Sequence, residues 1–85
     1  MTKQMQVLHL GREIKTSLEL AIAAGAPSDL VDRLATAAGL LDAIVSLGLE
    51  RDAGLPLVGT TCTRATDALT DWQRWRDDNP SKARA

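Results

Sequence analysis

Apolar and polar residues alternate along this chain with the period of an α-helix. Val7, Gly11, Ile14, Leu18 and Ala21 recur at four- and three-residue steps, and Leu10 and Ile22 widen the stripe. That spacing lines side chains along one side of a helix. Lys3, Arg12, Lys15 and Glu19 mostly fall elsewhere on the wheel, so the pattern predicts an amphipathic helix over about 3–24. It should stop at Gly25-Ala26-Pro27, where glycine takes the left-handed conformation and proline cannot continue the hydrogen-bond ladder.

A second helix is predicted over about 29–53. Ser28 or Asp29 is the expected N-cap, and Asp29 and Asp32 favour the positive end of the helix dipole. Its stripe is Leu30, Val31, Leu34, Ala38, Leu41, Ile44, Val45 and Gly48. A third helix, over about 57–79, starts either with Pro56 as first helical residue or with Thr60 as N-cap. Val58, Cys62, Ala65, Leu69 and Trp72 form its stripe, with Ala68 and Trp75 beside it. Asn79 and Pro80 should end it and leave residues 81–85 as a frayed basic tail.

Three helices of similar length joined by short Gly/Pro turns predict one all-α domain over residues 1–80. The expected architecture is a three-helix antiparallel, up-down-up bundle. Composition sharpens this picture. The 85-residue chain has two tryptophans and no phenylalanine or tyrosine, so its core has to be aliphatic. A chain of this length buries only about 60% of the surface its unfolded form exposes.

The second helix carries more apolar surface than its stripe accounts for. Leu40 and Leu47 are seven residues apart on the side shared with Arg33, Thr36 and Glu50, and heptad-spaced leucines outside a core predict an interface. Ala35, Gly39 and Ala43 recur every four residues, a spacing that lets another helix come close, from the same chain or a second one. Together these features predict association as a homodimer through helix faces.

Charge removes other options. The net charge is −1, divided as +1 over residues 1–26, −3 over 27–54 and +1 over 55–85. Such a chain has no general attraction for nucleic acid or an anionic membrane. A single cysteine, Cys62, excludes an intrachain disulfide. The N-terminal stretch lacks the apolar centre of a signal peptide, no window reaches the roughly 18 apolar residues of a membrane span, and a cytoplasmic location is expected.

No catalytic pattern emerges. His9 and Glu13 share a helix face but find no further ligand nearby to complete a metal site. Cys62 sits on an apolar stripe without a matched histidine, so it is expected to act as a small buried hydrophobe. Thr60, Thr61, Thr63 and Thr66 are expected at caps and on a polar face. Asp71, Asp77 and Asp78 interleave with Arg64, Arg74 and Arg76 in a salt-bridge pattern. No enzyme activity, cofactor or metal is predicted.

The stretch Asp71-Trp72-Gln73-Arg74-Trp75-Arg76 unites the residue types most enriched in protein-binding hot spots. Trp72 continues the apolar stripe and is expected mainly in the core, whereas Trp75 is the better candidate to face a partner. The chain is therefore expected to be a small protein-interaction module, an adaptor, accessory subunit or inhibitor, using Leu40, Leu47, Trp72, Arg74, Trp75 and Arg76. Two other classes stay open: a nucleic-acid-associated regulator using Arg74, Arg76, Lys82 and Arg84, and a carrier of apolar ligands.

Overall fold

The structure, a computed structural model, describes residues 3–49 and 56–83. Three long helices, α1 (Lys3–Ala23), α2 (Ser28–Ser46) and α3 (Pro56–Asp78), each pack against the other two, and a single turn, α4 (Pro80–Ala83), follows. No strand occurs among the described residues, and no helix there is long and apolar enough to cross a membrane.

The end of α1 follows the glycine rule. Gly25 has φ 71°, its N–H donates to the Ile22 carbonyl, and Ala26 N–H reaches back to Ala21. This pair of bonds satisfies carbonyls that the helix end would leave open. Pro27 then caps α2 in place of Ser28 or Asp29, which lie inside the first turn. Its carbonyl accepts from the N–H groups of Leu30 and Val31, both at 3.1 Å, and no side chain caps the helix.

α2 ends at Ser46, well short of the expected residue 53, because Gly48 adopts φ 72° and its N–H turns back to the Val45 carbonyl at 3.0 Å. Gly48 is thus a terminator and not a member of the helical stripe. Residues 50–53, expected to continue α2, lie outside the described residues. α3 begins with Pro56 as first helical residue, where its missing N–H costs nothing. α3 ends at Asp78, next to Asn79 and Pro80; Asn79 Nδ2 donates to the Trp75 carbonyl, and Pro80 opens the short turn α4 across part of the tail that was expected to fray.

The core is aliphatic apart from Trp72, as the composition demands. Val7, Ile14 and Ala21 of α1 meet Leu34, Leu41 and Ile44 of α2 and Val58, Ala65 and Trp72 of α3, all buried. Alanines at 21 and 65 have no exposed surface and let the helices approach closely. Ile22 was placed on the α1 stripe but is 60% exposed, because at about 100° per residue it lies past the edge that the other helices cover.

Thr61 corrects the expectation of a wholly polar threonine face. Thr63, Thr66 and Thr70 each donate to the carbonyl four residues back, but Thr61 is 1% exposed and its Oγ1 has no hydrogen-bond partner. A buried hydroxyl left unpaired forfeits its hydration without recompense. Thr61→Val keeps the shape and removes that cost, so it should stabilise the fold by about 1 kcal/mol. Urea unfolding followed by circular dichroism checks this; a lower midpoint for the variant would contradict it.

Candidate functional site

Of the six residues expected to bind a partner, one lies in the core. Trp72 is 2% exposed. One face of its indole stacks on Trp75, with ring centroids 5.8 Å apart and planes 20° from parallel, and the Arg76 guanidinium lies 5.9 Å from its centroid. Trp72 is therefore a core residue, and Arg76 is engaged with its ring while remaining exposed. Trp75, half-buried, packs against the core near the start of α2, where it shares a groove with Pro27, Leu30 and Arg74.

Leu40 and Leu47 are not a continuous helical ridge, since Leu47 is already the residue after α2 ends. Leu47 keeps near-helical dihedrals (φ −90°, ψ −2°) and is 72% exposed, so it remains two turns beyond Leu40 on the same side. Leu40 is half-buried in a groove of about 410 Å³ between α2 and α3. Ala37, Leu40 and Ala68 give this groove an apolar floor, and Asp32 and Arg33 on one rim face Arg64 and Asp67 on the other.

An ion pair between Arg33 and Asp71 separates this groove from the smaller one at Trp75. The expected ladder of ion pairs within α3 does not form among the described residues, because Asp71 pairs across to α2. Such a half-exposed pair contributes at most about 1 kcal/mol, but it fixes the height of α2 against α3. Leu57, 50% exposed at the start of α3, is a further apolar side chain left on the surface. Its place off the α3 stripe is the sequence signal that marks it.

The small-residue row of α2 lies on the surface of the chain. Ala35, Gly39 and Ala43 are all exposed, and a methyl group placed on Gly39 would meet nothing within 4 Å. Glycine there costs the helix roughly 0.5–1 kcal/mol relative to alanine with no compensating intrachain packing. α1 is therefore not the helix that the row admits.

Neither a protein-family model, a curated protein nor a solved structure matches this chain.

The other titratable candidates lie on the surface of α1 and in the core. His9 Nε2 lies 2.9 Å from Glu13 Oε1 on the surface of α1, and Lys15 pairs at 2.9 Å with Asp42 across to α2. Cys62 is a buried free thiol in the α3 stripe. Among the described residues, no three His, Cys, Asp or Glu side chains are grouped to hold a metal. Lys82 and Arg84, the outer cations of the nucleic-acid alternative, lie outside the described side chains.

Proposed function

We propose that this chain is a small, non-enzymatic protein-interaction module of the cytoplasm, working as an adaptor, accessory subunit or inhibitor through the groove between α2 and α3. The observation that carries the reading is the groove itself: an apolar floor of Ala37, Leu40 and Ala68 between charged rims, with Leu47 and Leu57 exposed elsewhere on the same two segments. An apolar centre with a polar rim is the general anatomy of a protein interface. Trp75 and Arg74 extend the same face beyond the Arg33–Asp71 bridge.

The bundle that presents this face is antiparallel, up-down-up. Three neighbour relations support that topology. Leu8 shares a cleft with Val45 while Lys15 pairs with Asp42. Trp75 sits by Pro27 while Arg64 sits by Leu40. Gln6 of α1 lines a cleft with Gly59 and Cys62 of α3.

The nucleic-acid alternative loses its main attraction, because Trp72 is covered by Trp75 and Arg76 and offers no free face on which a base could stack. Affinity capture from host lysate with three baits tests the proposal: wild type, Leu40→Glu and Leu20→Glu, the last altering an exposed α1 residue. Proteins retained by wild type and by Leu20→Glu should be lost with Leu40→Glu. Equal capture by all three baits would refute a role for the groove.

A further inference from the structure

We infer that the occupant of the α2/α3 groove is a second copy of this chain, seated about a twofold axis that crosses α2 at Gly39. The inference rests on the interaction reading above and names its partner. A twofold interface sets one patch against itself, so each residue i that meets j is matched by j meeting i. Such a patch has to be complementary to itself in shape and in charge, and three features meet that demand.

The first is the charge of the rims. The α3 rim carries one base and one acid, Arg64 and Asp67, and Arg33 on the α2 rim is already paired with Asp71 of its own chain. A groove built for an acidic or a basic partner would instead carry rims of one sign.

The second is register. Ala35 and Ala43 stand symmetrically about Gly39, so an antiparallel α2–α2 crossing centred there lays Ala35 of each copy on Ala43 of the other, with the backbones close at Gly39. The Arg33–Asp71 bridge fixes the height of α3. Stepping six residues forward from Arg33 to Gly39 and six back from Asp71 arrives at Ala65, close to midway between Arg64 and Asp67. The same axis therefore sets Arg64 of each copy opposite Asp67 of the other.

The third is size. The molecule extends 41 Å along its longest axis and 20 Å across, so an interface covering most of one side would reach the order of 800 Å² per copy, the area that a stable protein–protein interface buries on each side. Leu40 lies next to the axis, and the exposed Leu47 lies further out along the same side of α2. Both would be covered in the dimer.

The purified chain tests this by light scattering after size exclusion over micromolar to millimolar concentrations. Wild type should run at twice the 9.1 kDa chain mass. Gly39→Leu occupies open space in the single chain, so it should keep its helix content and cooperative unfolding yet run at the single-chain mass. Arg64→Asp and Asp67→Arg should each weaken association about tenfold at low salt through like charges facing across the axis. Mixed in equal amounts, the two reversals should recover it, because the mixed dimer restores both opposite-charge pairs. Wild type at single-chain mass up to millimolar, an unaffected Gly39→Leu dimer, or no recovery on mixing would each overturn the inference. A single-chain mass for wild type alongside capture that still depends on Leu40 would leave the interaction reading standing and remove only the second copy as partner.

Discussion

Trp72→Ala should be the most damaging single substitution in this protein, costing about 3–5 kcal/mol of stability. Trp72 is the bulkiest fully buried side chain, and no phenylalanine or tyrosine stands nearby to fill the space it would leave. The loss is more than volume, because the Trp75 ring stacks on one indole face and the Arg76 guanidinium lies over the ring. Both would lose their partner surface. A single domain this small has a total stability on the order of 5 kcal/mol, so the variant should unfold without a cooperative transition near room temperature. Thermal melting followed at 222 nm checks this. A sharp melt within a few degrees of wild type would show that Trp72 does not hold the three helices together.

The second large effect contrasts two leucines of the same segment. Leu34 has no exposed surface, and truncating it to alanine opens a cavity between three helices at a cost of about 2–5 kcal/mol. Leu47, 72% exposed, has little to lose, and Leu47→Ala should leave the stability of the single chain within about 0.5 kcal/mol of wild type. Chemical denaturation of both variants at concentrations low enough to keep the chain unassociated measures the difference. Equal destabilisation would mean that Leu47 is covered by its own chain, and the exposed apolar surface beside the groove would vanish with it.

Helix positions were largely legible in the sequence because three signals coincide: the period of apolar residues, glycine or proline at the breaks, and a shortage of bulky side chains that restricts which faces can be buried. Val7, Ile14, Leu34, Leu41, Val58 and Ala65 all occupy the expected stripes, and all are buried. The end of α2 was harder to place. Its apolar pattern runs on past Gly48, and only the positive φ of that glycine shows that the chain has turned. Periodicity records which residues prefer burial, while the backbone at a single glycine decides where the helix stops.

The candidate site was legible in its parts but not in its grouping. Leu40 and Leu47 stood out as apolar residues outside the stripe, and Trp75 as one step off it. Arg33–Asp71 links residues far apart in sequence, however, and no pattern within one helix predicts such a contact. Nor does composition reveal that Arg76 lies over Trp72, a ring whose burial withdraws one of the six expected partner residues from the surface. Thr61 is a further limit: four threonines close together suggest a polar face, yet the helix wheel turns one of them inward.

Site-specific photocrosslinking is the most direct test of the α2/α3 groove as the working surface. A benzophenone amino acid placed at position 40 and, as control, at the exposed position 20 of α1 would be irradiated in the host cell. Position 40 should yield discrete protein adducts, including one at twice the chain mass, and position 20 should yield none of them. The same adducts from both positions, or none from position 40, would contradict the account.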